Sequence, residues 1–150
     1  MLPGDCLKLD FTDIETCDVS FVDEIVLEVQ IYLREKKENI LLFLAHFNQD
    51  IIDNLEGAIA RREGKGVKIP ILVQENDRLS CIGSLEPALA ETLDFMRSRN
   101  EINARDIAEH TGTAINAASN RLKKLYDLRL CLREERVDIN GKQHIYRIPV

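Results

Sequence analysis

The stretch "ARDIAEHTGTAINAASNRLKKLYDL", residues 104–128, decides how the second half of this chain is read. It breaks at Gly112, the residue type best able to take the left-handed conformation that closes a helix. "INARDIAEHTG" reads as a short helix stopped at Gly112. "TAINAASNRLKKLYDL" reads as a longer one, with Thr113 as the expected N-cap and Leu122, Leu125 and Leu128 at core spacing. Downstream, "RLCLREERVDINGKQHIYRIPV" sets Asn140-Gly141 between apolar and β-branched runs, a strong two-residue hairpin signal. Upstream, a helix beginning at Ser84 or a neighbour turns Leu89, Leu93 and Met96 inward and ends at "RSRN". Three helices and a hairpin over 84–150 make a small module of their own.

Residues 1–83 follow another pattern. "CLKLDF" alternates apolar and polar residues, a strand from about Leu7 to Phe11. Val22, Ile25, Val26, Val29, Tyr32 and Leu33 then recur at helical spacing between Phe21 and about Lys37. "NILLFLAHF" is a continuous apolar run of strand length, expected to be buried on both faces. Asn48 is placed to cap a second helix, with Ile51, Ile52, Leu55, Ala58 and Ile59 inward and its end near Gly64. "VKIPILVQ" reads as a third strand, with Pro70 suggesting that part of it lies at an edge, and "LSCIG" as a short fourth after the "ENDR" turn. Strands alternating with helices predict a mostly parallel or mixed sheet with helices packed on it, so the whole is expected to be α+β. The boundary between the units falls near residues 77–85, and there is no internal repeat.

Composition limits what such a chain does. Of its 150 residues, 45% are hydrophobic and 31% charged, the balance of a folded protein. No apolar run approaches membrane-spanning length, and "MLPGDCLKLDF" lacks the basic and apolar regions of a leader, which predicts a cytoplasmic protein with no membrane partner. Cys6, Cys17, Cys81 and Cys131 are scattered, as reduced thiols are. The net charge of −6 is uneven. Residues 1–84 carry 16 acidic and 9 basic side chains, whereas residues 85–150 carry 10 and 11. The front half is therefore a poor partner for phosphates, and the rear half is permissive.

On these residues the second module resembles a winged helix-turn-helix domain. "ARDIAEHTG" is similar to that family's second helix and turn, and "RLKKLYDLRLC" to the end of its recognition helix and first wing strand. The resemblance implies that "TAINAASNRLKKL" is the recognition helix and that the hairpin at Asn140-Gly141 is the wing. A helix entering a major groove presents its first turns to base edges, here Ile115, Asn116, Ser119 and Asn120. Asparagine can pair bidentately with adenine, and serine reaches several bases. Arg105, Arg121, Lys123 and Lys124, with Arg136 and Lys142 on the wing, are placed to meet phosphates. Glu134, Glu135 and Asp138 on the same hairpin oppose them, and Arg129 stands where the family usually has glycine.

The first module resembles the STAS domain of sulfate transporters and anti-sigma factor antagonists, and more closely a short STAS-like domain of unknown function. The motif is "CDVSFVD" between strand and helix, within "LDFTDIETCDVSFVDEIVLEV", and the likeness runs over residues 5 to about 75. In the anti-sigma antagonists an Asp-Ser-Ser-Gly motif carries a regulatory phosphate on its second serine. Asp18 matches the aspartate and Ser20 that serine, while Val19 and Phe21 replace the other two. Ser20 also has a plain structural reading, since Ser20 with Asp23 approximates a capping box. A cap, a phosphoswitch and a partner surface all remain open for it.

No P-loop, HExxH, nucleophile elbow or GxGxxG occurs, and His46, His110 and His144 lie far apart in sequence. Neither cofactor, metal nor catalysis is expected. The expected function is transcriptional regulation: double-stranded DNA at the second module, a protein partner or signal at the first, and a homodimer matching a palindromic site. The alternative is an adaptor in a partner-switching pathway, whose winged helix contacts protein or holds two subunits together.

Overall fold

The computed structural model describes residues 4–149; the first three residues of the stretch read as leaderless lie outside that range, as does residue 150. The chain is α+β. Strand β1 (Cys6–Asp10) leads into a continuous helical run made of α1 (Val19–Val22), a π-helical segment (Asp23–Leu27) and α2 (Glu28–Glu35). Strand β2 (Leu41–Ala45), helix α3 (Gln49–Gly64), and strands β3 (Ile71–Glu75) and β4 (Arg78–Ile82) follow. The sheet order is β1-β2-β3-β4, parallel except for the final β3–β4 hairpin. Beyond it come α4 (Pro87–Arg97), α5 (Ala104–Thr111), α6 (Ile115–Asp127) and the antiparallel pair β5 (Leu132–Asp138) and β6 (Gly141–Arg147).

Alternation along the strands sorts their side chains between two cores. Leu42, Leu44, Ile71 and Val73 join Val22, Val26, Leu33, Ile51 and Leu55 from the helices on one face. Leu41 and Leu72 join Leu89, Leu93, Met96, Leu122 and Leu132 on the other. The apolar run of β2 is thus explained: its second face is covered by the C-terminal unit. Hydrogen bonds reinforce that contact. Asn39 acts as a surrogate strand, donating to the Arg133 carbonyl at 2.6 Å and accepting from the Arg133 N–H at 3.1 Å. Gln30, fully buried, donates to the carbonyls of Leu128 and Arg129 at 3.1 and 3.4 Å.

Several local expectations change. Ile25 and Tyr32 were expected inward, yet both are exposed, and Leu27 and Gln30 are buried instead. The cause is the π segment, whose wider turn closes with Glu28 N–H on the Asp23 carbonyl and advances the buried face by one residue. Ser20 is not the cap: Asp18 accepts from the Phe21 N–H at 2.8 Å, and Ser20 lies inside the first turn. Thr113 does not cap α6 either, since that position falls to Ala114, which has no capping side chain. The first helix of the C-terminal unit starts at Pro87 with Glu86 before it, as proline at the first helical turn favours. The hairpin pairs Asp138 with Gly141, so its turn is Ile139-Asn140, with Gly141 at φ 105 after it. Pro70 sits just before β3, which is an interior strand. Gly83 meets a double demand: φ is 109, and a Cβ there would lie 3.1 Å from the Pro70 Cα.

Candidate nucleic-acid interface

The C-terminal unit is built around α5 and α6. Asn103 and Asp106 form a reciprocal capping box on α5, each side chain accepting a backbone N–H of the other at 2.9 Å. Gly112 closes α5 at φ 70, its N–H on the Ala108 carbonyl at 2.9 Å. The turn delivers α6 with Ala118, Leu122, Leu125 and Tyr126 buried. Its opposite face is open: Ile115, Asn116, Ser119, Asn120, Lys123 and Lys124 are all exposed. Among the described residues no side-chain hydrogen bond holds Asn116, Ser119 or Asn120, so their polar groups are available to a ligand, and Ile115 adds an apolar contact beside them. Ile115 and Ser119 share a groove of about 740 Å³ with Arg105, Lys142, Gln143 and His144, which run along α5 and the hairpin. The structure thereby brings the start of α6, the start of α5 and the hairpin to one cleft.

The cations are less uniform than their spacing suggests. Arg136 is gripped by Glu101 in a bidentate pair at 2.7 and 2.8 Å and by Glu134 at 2.7 Å. Hydrogen bonding to Arg136 holds the Glu101 carboxyl below its usual range. Lys123 pairs with Asp127 at 3.0 Å, Lys142 with Glu135 at 3.6 Å and half-buried Arg121 with Glu91 at 3.7 Å. Exposed single pairs of this kind contribute little and exchange readily for phosphate, but the double grip on Arg136 does not. Among the described residues, Arg105 and Lys124 are exposed cations of this face in no such pair. At the hairpin tip, Val137 is 73% exposed and Ile139 fully so.

At the other end of α6, Arg129 stands at φ 58 in the left-handed position. Its N–H reaches the Tyr126 carbonyl at 2.8 Å and the Leu130 N–H reaches Leu125 at 3.0 Å, the two bonds of a Schellman closure. The guanidinium is buried, 4.3 Å from the centre of the Tyr126 ring. Arg34 from α2 lies nearby, and burial first, then the Arg129 charge, brings it down to about 10.

At the first module, Asp18 caps α1 and Ser20 is exposed on a cleft of about 230 Å³ with Asp23, Glu24, Arg61, Arg62 and Lys65. Arg62 holds Asp23 through two hydrogen bonds and also binds Glu28, which keeps the Asp23 carboxyl below its ordinary range. Sequence spacing missed a further pair at the carboxyl ends of the parallel strands. Asp10 accepts from the Thr12 backbone and hydroxyl and meets His46 Nδ1 at 3.0 Å, while His46 itself sits at φ 56. A cleft of about 390 Å³ lies beside it, lined by His46, Asn48, Gln49 and Gln74 among others. Although they are 36 positions apart in sequence, the parallel pairing of β1 and β2 brings Asp10 and His46 together. Among the described residues no group of three or more His, Cys, Asp or Glu is placed to hold a metal ion, and no helix is long and apolar enough to cross a membrane. No family model matches this chain, and no curated protein matches it.

Proposed function

We propose that the protein is a non-enzymatic, DNA-binding regulator: a winged helix unit reads double-stranded DNA, and a STAS-like unit docks a protein partner or senses a signal. The observation that carries this reading is the open face of α6. Ile115 and Ser119 line one groove with the hairpin, and Asn116 and Asn120 are exposed on the same first two turns. A major-groove helix needs that arrangement, and Asn116 and Asn120 have the paired donor and acceptor that adenine requires. Arg105 and Lys142 line it, Lys123 and Lys124 are exposed further along α6, and these four serve the phosphates. The STAS-like unit acts on this surface through Gln30 and Asn39, which hold the end of α6 and the start of the wing. Asp18 and Ser20 lie at the surface where a partner would engage that unit.

A second reading, protein contact through the same winged helix, is favoured by specific features. Arg136 is already saturated by Glu101 and Glu134, and the wing tip ends in exposed Val137 and Ile139, an apolar point suited to a protein surface. Selection of binding sites from random duplex DNA separates the two. A recurring motif, lost with Asn116→Ala, supports DNA recognition; no enriched motif above the unselected pool rejects it.

A further inference from the structure

The helical run from Val19 to Glu35 has one apolar face left exposed by the described residues. Phe21 is 47% exposed, Ile25 40% and Tyr32 54%, with half-buried Val29 between them. In an unbroken α-helix, residues four apart drift round the axis because a turn takes about 3.6 residues. The π segment at Asp23–Leu27 widens the turn and removes that drift. Phe21, Ile25 and Val29 therefore form a straight stripe, extended by Tyr32. Large apolar side chains gathered this way mark an interaction surface, whereas scattered ones do not.

We propose that a second copy of this chain packs antiparallel on this stripe, across a twofold axis passing level with Leu27. The order of the residues argues for a self-complementary partner. Counted from that centre, Ile25 falls opposite the partner subunit's Val29, and Phe21 one residue from the position opposite the partner subunit's Tyr32. An isologous contact requires this reciprocity, in which residue i meets j and j meets i. The charges at the two ends agree with it. Asp18 at the start of the run comes opposite the partner subunit's Lys36 just past the end, and the twofold repeats the pairing. In a parallel arrangement Asp18 would meet Asp18 and Lys36 would meet Lys36. Of the other carboxylates of the run, Asp23 and Glu28 are bound to Arg62 and so add little repulsion across the axis, while Glu24 and Glu35 are exposed and in no ion pair among the described residues. Two aromatic pairs at the ends and four aliphatic side chains at the centre give the patch an apolar middle and a charged rim, the usual anatomy of an interface.

This inference does not depend on what α6 binds, and its test contains no nucleic acid. Sedimentation velocity of the full chain over a concentration series is expected to show a monomer–dimer equilibrium. Ile25→Glu weakens association by about a hundredfold, as a charge at the centre of a small interface does. Both Ile25 and Phe21 are solvent-facing, so circular dichroism and thermal unfolding of the variants stay those of the parent. Phe21→Glu alone dissociates the dimer, and Phe21→Glu with Tyr32→Lys restores it, because each glutamate then faces a lysine. A parent chain that is monomeric throughout the series, or an Ile25→Glu variant that dimerises unchanged, overturns the proposal. A double variant no tighter than Phe21→Glu overturns the antiparallel register.

Discussion

At Asp18 and Ser20 two neighbouring residues divide roles that the sequence assigns to one. Asp18 supplies the capping bond, so Asp18→Ala is expected to cost about 1 kcal/mol in urea unfolding, whereas Ser20→Ala stays within about 0.5 kcal/mol. Equal losses would restore Ser20 as a cap. A capping serine and a capping aspartate two positions earlier obey the same rule, so spacing alone left the choice open. Arg129 is a similar case, visible as an anomaly where glycine is usual, but its buried stack on Tyr126 was not. Alanine there keeps the left-handed strain and loses the stack and the guanidinium's hydrogen bond to the Tyr126 carbonyl; glycine loses the same contacts but has the backbone freedom. Arg129→Gly should therefore be more stable than Arg129→Ala by about 1 kcal/mol, and parity would mean the φ of 58 carries no strain. Asp10 gives a pH signature. Hydrogen bonds from Thr12, then His46, lower its folded value, so its contribution is complete above the normal carboxylate range and fades as pH falls through the lowered one. Acid unfolding of Asp10→Asn should consequently show a shallower loss below about pH 4 than the parent, and superimposable acid limbs would discount the cluster.

At the scale of elements, regular periodicity was readable and irregularity was not. The inward residues of α3 follow the 3.6-residue period throughout, and Ile51, Ile52, Leu55, Ala58 and Ile59 are buried as that period requires. In the Val19–Glu35 run the same rule fails at Ile25 and Tyr32 while Val22, Val26 and Leu33 are buried as it requires, because a π turn leaves no composition signal. The hairpin was found from Asn140-Gly141 but misplaced by one residue, since the glycine follows the turn instead of forming it. Nothing in the sequence announced the bond between Asn39 and Arg133, which are 94 residues apart. That bond carries a prediction. Asn39→Ala strands both the N–H and the carbonyl of Arg133 in a half-buried setting and should cost about 1–3 kcal/mol. A change below about 0.5 kcal/mol in urea unfolding would mean that water replaces the side chain without loss.

For the whole molecule, strand alternation explains why two sequence-defined units make one body. β2 is apolar at every position because Leu42 and Leu44 face the helices while Leu41 faces the C-terminal unit. The apolar run made double burial readable; it did not reveal that residues 84–150 provide the second cover. The same packing ties the two proposed functional units together, since Gln30 on α2 is hydrogen-bonded to the Leu128 carbonyl at the end of α6. Charge sets the strength expected of the proposed DNA binding. The chain carries −6 overall, and Arg105, Lys123, Lys124 and Lys142 are the cations on the α6 side open to phosphate. About three to four phosphate contacts per subunit predict a log–log salt slope near −3 for one subunit and about twice that for a dimer. Fluorescence anisotropy of a selected duplex across a salt series, for the parent, Asn116→Ala and Lys124→Ala, tests this most directly. The account predicts sequence-specific binding with that slope, lost specificity for Asn116→Ala and a slope shallower by about one per subunit for Lys124→Ala. Weak, sequence-blind binding that neither substitution alters would contradict it.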